Sequence, residues 1–182
     1  MNKPSCRQYK VFPSPIGPIG IAWTLKGLTT LQLPEKTTHQ TKEALIRKIT
    51  LVDEYECLEN SLDIKSIINS INSYISSSLS HQDMMRYVPV DLSFLGPVEQ
   101  KVYECLMSSS EGATLSYSEL ALAVGKPGAN RHIGQLVSKN PMPLIIPCHR
   151  VIYSNGNLGS FNAFKGQSLK RELLMREGAL LI

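Results

Sequence analysis

"SYSELALAVGKPGANRHIGQLVSKN", residues 116–140, predicts two short helices separated by a tight turn. Ser116 and Glu119 have the S-x-x-E spacing of a capping box, in which two residues satisfy each other's free backbone N–H groups at a helix N-terminus. Gly125 follows the last apolar residue, where a left-handed C-cap ends many helices, and "KPG" then forces a turn. The stretch therefore predicts a helix-turn-helix.

The second helix of this pair has two different faces. Its apolar face consists of Ile133, Leu136 and Val137, and the opposite face carries Arg131, Gly134, Gln135 and Ser138. A glycine inside a helix costs about 1 kcal/mol relative to alanine, so Gly134 needs a reason. One reason is close packing inside the protein. The other is the close approach of a nucleic acid, because the second helix of such elements commonly lies against DNA.

A second stretch, "PLIIPCHRVI" at residues 143–152, places a cysteine and a histidine side by side on a path held by prolines. A free thiol has a pKa of about 8.5, and burial raises it, so Cys148 needs a nearby charge or donor to react as a thiolate. His149 and Arg150 are the candidates. Because adjacent residues of an extended strand point to opposite faces, His149 can serve Cys148 only through a turn or a bridging water. A carboxylate from the C-terminal helix would orient the imidazole.

Other interpretations of Cys148 remain open at this point. A zinc site is disfavoured, because adjacent Cys and His residues chelate one tetrahedral ion poorly and no C-x-x-C or H-x-x-H pair accompanies them. A cysteine hydrolase usually takes its histidine from a distant part of the chain. The plainest alternative is a buried structural cysteine beside an incidental histidine.

Composition and charge limit the class of protein. With 182 residues and 42% hydrophobic residues the chain can form one large or two small globular domains. It shows neither a signal peptide nor an apolar run of membrane-spanning length, so we expect a cytoplasmic protein whose four scattered cysteines are free thiols. Residues 113–150 carry four Lys and Arg against one Glu, which modestly supports a polyanionic partner.

The rest of the chain shows a change of pattern near residue 92. Short apolar runs before residue 33 predict strands, and residues 42–50 and 61–79 predict helices, the latter with an isoleucine stripe that indicates a buried face. Pro97 is placed to begin a further helix. We therefore expect two domains, residues 1–91 and 92–182.

Several motifs in the second half occur together in one known family. "SYSELA", "RHIGQ", "SKNPMPLI", "IPCHRVI", "SNGNLGSF" and "LLMREG" closely resemble the O6-alkylguanine-DNA alkyltransferases, in the same order and over roughly residues 92–182. The resemblance implies an α/β (α+β) fold. A small N-terminal sheet-plus-helix domain of RNase H-like type would precede a mostly helical domain with a helix-turn-helix and a short hairpin.

The resemblance assigns roles to residues around the cysteine. Cys148 would accept the alkyl group irreversibly, so that the protein is consumed in one turnover. His149 would act on it through water as a base, oriented by Glu177. Asn140 would brace the turn and the cysteine region, and Arg150 would structure the same site and take part in DNA binding.

Further residues match positions that handle DNA and the damaged base. Tyr117 would help to rotate the nucleotide out of the duplex and donate a proton to the leaving guanine, and Arg131 would enter the stack in its place. Gly134, Gln135 and Ser138 would contact the minor groove. The pocket for the base would be lined by Tyr117, Pro143, Gly159, Phe161 and Asn162.

The family resemblance implies a DNA-repair methyltransferase, acting as a monomer on double-stranded DNA that contains O6-alkylguanine and, as a further substrate, O4-alkylthymine. It implies no cofactor. The protein would be cytoplasmic and associated with the nucleoid, or nuclear in a eukaryote. We also expect no metal, because Cys6, Cys57, His39 and His81 lack the spacing of zinc ligands. A lesion binder without catalysis and a thiol-sensing regulator are the alternatives, and the presence of Cys148 argues against the first.

Overall fold

The structure of the chain is a computed structural model. The structure describes residues 5–6, 8–51, 62–159, 161, 163 and 166–179. Contacts between Cα atoms divide the chain into two compact units, residues 1–95 and 96–182. Residues that follow the expected boundary at 91/92 thus group with the first unit. Asp91 ties these residues to the first unit, because its backbone N–H donates to the Leu28 carbonyl at 2.8 Å and its Oδ1 accepts the backbone N–H of Ser93 at 3.0 Å.

The N-terminal unit is built around an antiparallel meander. Its strands are β1 Ser5–Cys6, β2 Gln8–Phe12, β3 Ile19–Trp23, β4 Leu28–Gln32 and β5 Thr50–Leu51. Strands β2, β3 and β4 form the meander, and β1 pairs with β5 in parallel. Every residue of β3 and β4 is buried, so both faces of these strands are covered.

Three helices complete the described part of this unit: α1 Thr38–Ile46, α2 Ile64–Ile75 and α3 His81–Met84. Helix α1 contacts β3 and β4 and begins earlier than expected, because the hydroxyl of Thr37 caps it by accepting the backbone N–H of Gln40. Helix α2 buries Ile67, Ile71 and Ile75, which confirms the isoleucine stripe. It ends before residue 79 because Ser77 adopts a left-handed φ of 58°.

The C-terminal unit contains the motifs identified in the sequence. Its elements are α4 Pro97–Met107, β6 Leu115–Ser116, α5 Tyr117–Ala123, α6 Asn130–Ser138, a 3₁₀ turn at Cys148–Arg150, β7 Val151–Ile152 and α7 Gly166–Arg176. Strands β6 and β7 pair in parallel. The expected hairpin after β7 is not formed by two paired strands, because β7 pairs with β6. The chain reverses direction at residues 153–157, where the backbone N–H of Tyr153 donates to the carbonyl of Asn157 at 2.8 Å.

Local signals correctly located helices α5 and α6. The backbone N–H of Ser116 donates to Glu119 Oε2 at 2.6 Å, and the N–H of Glu119 donates back to Ser116 Oγ at 3.2 Å, which confirms the capping box. Gly125 ends the first helix with a φ of 72°. Helix α6 buries Ile133, Leu136 and Val137 against its own unit, as expected. None of the helices in the described ranges is both long and apolar enough to cross a bilayer.

Candidate active site

The chain reaches the cysteine along a buried path that Asn140 braces. Its Nδ2 donates to the carbonyl of Ile146 at 2.8 Å, and its Oδ1 accepts the backbone N–H of Met142 at 2.9 Å. Leu144, on this path, has a left-handed φ of 77°, which is costly for a residue with a branched side chain. The two hydrogen bonds of one side chain therefore hold a strained segment in a single shape.

Cys148 lies at the start of the 3₁₀ turn and is only 6% exposed. Its backbone N–H donates to the carbonyl of Ile146 at 2.7 Å. Burial raises the pKa of the thiol, whereas a hydrogen bond from Asn140 and the positive charge of Lys170 act to lower that pKa. The thiol is thus held at a fixed point where specific groups favour its anion against the cost of burial.

His149 is fully buried beside the cysteine, and its ring is oriented by a carboxylate. Nε2 of the imidazole lies 3.0 Å from Oε1 of Glu177, whose side chain is 3% exposed just beyond the end of α7. Burial lowers the pKa of His149, and Glu177 raises it in part. Nδ1 is buried and has no hydrogen-bond partner within the described part of the chain. The imidazole can therefore be neutral at pH 7 and accept a proton at Nδ1.

Arg150 belongs to the same network and does not reach the surface. It is 0% exposed, and its Nε and Nη2 donate to Oε2 and Oε1 of Glu177, each at 2.8 Å. Its Nη1 donates to Oγ of Ser109 at 3.0 Å and to the Ser109 carbonyl. The expectation that Arg150 contacts DNA is wrong, because all of its guanidinium nitrogens are engaged inside the protein. Its expected structural role is in agreement with this geometry.

Lys170 on α7 was missed by sequence reasoning. This lysine is 1% exposed, and its Nζ donates to the carbonyls of Val151, at 2.6 Å, and Leu158. Burial lowers the pKa of Lys170 to about 8, and the negative charge that Cys148 can carry opposes that shift. One sequence signal was available: Leu173 and Leu174 follow at helical spacings of three and four, which places Lys170 on the buried face of α7.

Tyr117, the first residue of α5, forms a second cluster with small residues and another ring. Burial raises the pKa of its phenol, and the negative charges that Tyr153 and Cys148 can carry raise it further. Its ring centroid lies 5.3 Å from that of Tyr153. A Cβ placed on Gly134 would lie 3.7 Å from the Tyr117 ring, and a Cβ on Gly159 would lie 3.4 Å from its hydroxyl oxygen. The structure thus brings Tyr117 together with Gly134 and Gly159.

Tyr103 on α4 is a further buried phenol that sequence reasoning did not single out. Its hydroxyl donates to the carbonyl of Leu136 at 2.9 Å and so ties α4 to α6. Burial raises its pKa, and the charges of Glu99 and Cys148 add to that effect. Tyr103 therefore remains a neutral donor near the thiol.

The remaining candidate residues lie outside these two clusters. Arg131, Gln135 and Ser138 are exposed on one face of α6, Pro143 is buried, and Phe161 is half-buried. Asn162 lies outside the described residues. No group of three or more His, Cys, Asp and Glu side chains in the described ranges is arranged to hold a metal ion.

Comparison with known sequences places this geometry in a family. Residues 97–179 match the family model described as the DNA-binding domain of 6-O-methylguanine DNA methyltransferase. A methylated-DNA–protein-cysteine methyltransferase of Methanosarcina barkeri is 31% identical over 169 residues, which cover 93% of this chain and 96% of that protein. The protein of the same name from Cricetulus griseus is 30% identical over 180 residues, which cover 94% and 82%.

Solved structures agree with the sequence relatives. The crystal structure of Mycobacterium tuberculosis OGT in complex with DNA has a TM-score of 0.71 at 31% identity and covers 94% of this chain and 92% of its own. An O6-methylguanine-DNA methyltransferase from Pyrococcus kodakaraensis, at 21% identity, shares the fold with a TM-score of 0.65. Since identity above 30% extends over nearly the whole of both chains, this chain belongs to the methylated-DNA–protein-cysteine methyltransferases.

Proposed function

We propose that the protein repairs DNA by moving an alkyl group from O6 of guanine to Sγ of its own Cys148. A carbon–sulfur bond forms as the carbon–oxygen bond breaks, and the electron pair of the broken bond stays with the guanine. The thioether is stable, so each molecule acts once and needs no cofactor to complete the step. The observation that carries the proposal is a buried cysteine held beside a carboxylate-oriented imidazole in a member of this family.

The Cys148 network supplies the nucleophile in this proposal. Neutral His149 accepts the thiol proton at Nδ1 through a bridging water, because its Nε2 is already bonded to Glu177. Arg150 fixes the Glu177 carboxylate with two further hydrogen bonds. Lys170 stabilises the thiolate through its charge, and Asn140 does so through a hydrogen bond. All five side chains thus act on the state of one sulfur atom.

The departing guanine requires a proton, and Tyr117 is our candidate donor. Its phenol stays protonated because burial raises its pKa, and the negative charge that Cys148 can carry raises that pKa further. Gly159 lies beside this hydroxyl, since a Cβ on the glycine would be 3.4 Å from the hydroxyl oxygen. We propose that Pro143, Gly159 and Phe161 line the pocket that receives the base.

We propose that α5 and α6 act as a helix-turn-helix whose α6 lies in the minor groove. The exposed side chains of Arg131, Gln135 and Ser138 supply donors on one face. Arg131 fills the gap that the rotated nucleotide leaves in the stack. Gly134 supports this role, because an added Cβ would make only an ordinary contact of 3.7 Å with Tyr117. Internal crowding therefore does not require the glycine.

The remaining parts of the proposal concern the whole chain. The meander and helix α1 favour an RNase H-like interpretation of the N-terminal unit, in which we expect a structural role. We propose that the domains divide the work as residues 1–91 and 92–182, and that the protein acts as a monomer wherever DNA is kept, in the bacterial or archaeal cytoplasm or the nucleus. O4-alkylthymine is a second substrate on chemical grounds, since its alkyl group leaves from a comparable oxygen.

Mass spectrometry tests the transfer directly. The protein is incubated with a duplex containing O6-methylguanine, and the peptide bearing Cys148 should gain one methylene group. Cys148→Ala should bind the duplex without gaining mass, whereas Cys105→Ala should react normally, because Cys105 is a half-buried thiol on α4 outside the network. Transfer in Cys148→Ala would refute the proposal, and binding without transfer in the unaltered protein would indicate a lesion binder.

A further inference from the structure

Tyr153 is a large aromatic residue that no step above uses. It follows β7 directly after the cysteine turn and is 51% exposed. Its backbone is nevertheless fixed, because its N–H donates to the Asn157 carbonyl at 2.8 Å and its carbonyl accepts the N–H of Gly156 at 2.9 Å. An exposed ring on a fixed backbone presents one defined surface to its neighbours.

The ring of Tyr153 packs on Tyr117 rather than projecting freely into solvent. The two centroids are 5.3 Å apart and the ring planes are inclined by 50°, which lies within the range of favourable aromatic pairs. Tyr153 is also the neighbour whose charge contributes most to raising the pKa of the Tyr117 phenol. The contact with Tyr153 therefore affects both the position of the Tyr117 hydroxyl and its pKa.

Gly159 shows how closely these groups are packed. A Cβ on this residue would lie 3.0 Å from Cε2 of Tyr153 and 3.4 Å from the hydroxyl oxygen of Tyr117, and its φ of 72° disfavours any side chain. The Cδ1–Cε1 edge of Tyr117 meanwhile faces Gly134 of α6. Tyr117 thus lies between the backbone of α6 and a wall made by Tyr153 and Gly159.

We propose that Tyr153 is a positioning residue for alkyl transfer, whose ring holds the Tyr117 hydroxyl in place for proton donation to the leaving base. The inference rests on the proposed function, in which Tyr117 is the proton donor. The aromatic ring of Tyr153, and not the hydroxyl of Tyr153, performs this role. Loss of the Tyr153 ring should therefore affect the rate of alkyl transfer and not the affinity for DNA, because the ring contacts Tyr117 within the protein.

Single-turnover kinetics with methylated duplex distinguish this role from a contact with DNA. Tyr153→Ala should lower the limiting transfer rate at saturating protein about two- to tenfold, the range expected from loss of one aromatic pair. Tyr153→Phe, which keeps the ring, should retain the rate. The Kd for duplex, measured with each change on a Cys148→Ala background, should stay the same. Tyr87→Ala removes a tyrosine of similar exposure, 55%, from the other unit and should change neither quantity.

Two outcomes of these rate and binding measurements would overturn the proposal. A weaker Kd with an unchanged limiting rate would make Tyr153 a DNA contact, and an equal loss of rate in Tyr153→Phe would assign the effect to its hydroxyl. A third readout is independent of transfer: the ring-proton chemical shifts of Tyr117 should move in Tyr153→Ala and hold in Tyr153→Phe. If the unaltered protein transfers nothing, the proposed function fails, while unmoved Tyr117 shifts in Tyr153→Ala would refute the positioning role itself.

Discussion

Nε2 of His149 lies 3.0 Å from Oε1 of Glu177, and the two side chains are 0% and 3% exposed. The same carboxylate accepts two hydrogen bonds from the buried guanidinium of Arg150. One carboxylate therefore orients the imidazole and also compensates a buried positive charge. Stability and chemistry are linked at Glu177 for this reason.

Glu177→Gln should lower the free energy of unfolding by about 3–5 kcal/mol, because it leaves a buried guanidinium without its counter-charge. Transfer should also slow, since the imidazole loses its orienting acceptor. Urea denaturation measures the first effect. Glu172→Gln, on α7 shortly before Glu177, is the matched control: the ion pair of Glu172 with Arg176, 2.7 Å long, is partly exposed and should contribute about 1 kcal/mol or less. Equal losses in the two variants would contradict the buried network.

The fall of the transfer rate at low pH should follow the protonation of His149. Burial lowers the pKa of its imidazole from the ordinary 6.5, so the base remains neutral and competent down to that pH. The limiting transfer rate should therefore stay level from pH 8 down to about 6.5 and fall only at lower pH. Single-turnover assays across this range measure it. An inflection above pH 6.5 would show that a different group controls the reaction.

The lowered pKa of Lys170 should make the free energy of unfolding depend on pH. Its pKa is lowered to about 8 in the folded protein from 10.5, so between these values the unfolded chain binds a proton that the folded chain does not. Stability then rises with pH in this window. The unfolding free energy of the unaltered protein should increase, relative to that of Lys170→Met, by about 3 kcal/mol between pH 8 and 10.5. Lys101→Met, at an exposed position of α4, is the matched control for the loss of a lysine that is not buried.

The parts of the fold that sequence reasoning located correctly depend on short-range signals. Ser116 and Glu119 are three residues apart, and their mutual hydrogen bonds form whatever the rest of the chain does. Gly125 likewise ends α5 through its own backbone conformation. The pairing of His149 with Glu177 spans 28 residues. Chemistry alone predicts a carboxylate from the C-terminal helix, and only the family resemblance identifies it as Glu177. Periodicity and capping motifs are local signals and do not predict contacts between residues so far apart in the sequence.

The structure differs from expectation in which charged side chains are buried and in where the backbone φ angle becomes positive. Arg150 and Lys170 were not recognised as buried cations, because a sequence shows a charge but not the carbonyls and carboxylate that accept its hydrogen bonds. Helix α2 stops short of residue 79 because Ser77 turns left-handed, a conformation that serine rarely adopts. Tyr153 was missed because its partner, Tyr117, is distant in sequence.

Arg131→Ala separates nucleotide extrusion from chemistry. Arg131 is exposed on α6 and makes no part of the Cys148 network, so the thiol should react normally with free O6-benzylguanine. Transfer from duplex should slow by about tenfold or more, because filling the vacated stack offsets an unstacking cost of a few kcal/mol. Lys139→Ala removes another exposed cation nearby and should weaken binding without this selectivity. Equal slowing of both substrates in Arg131→Ala would contradict the extrusion role.

Gly134→Ala decides between the two reasons for a glycine inside α6. The new Cβ would lie 3.7 Å from the Tyr117 ring, an ordinary contact, so the free energy of unfolding should hold or rise by up to about 1 kcal/mol from helix propensity. Binding to duplex should nevertheless weaken about fivefold or more, because the methyl group occupies space on the face that DNA approaches. Gly125→Ala provides the contrast: its φ of 72° should cost about 1 kcal/mol of stability with no added bulk on α6. A destabilised Gly134→Ala with unchanged duplex binding would instead assign the glycine to internal packing.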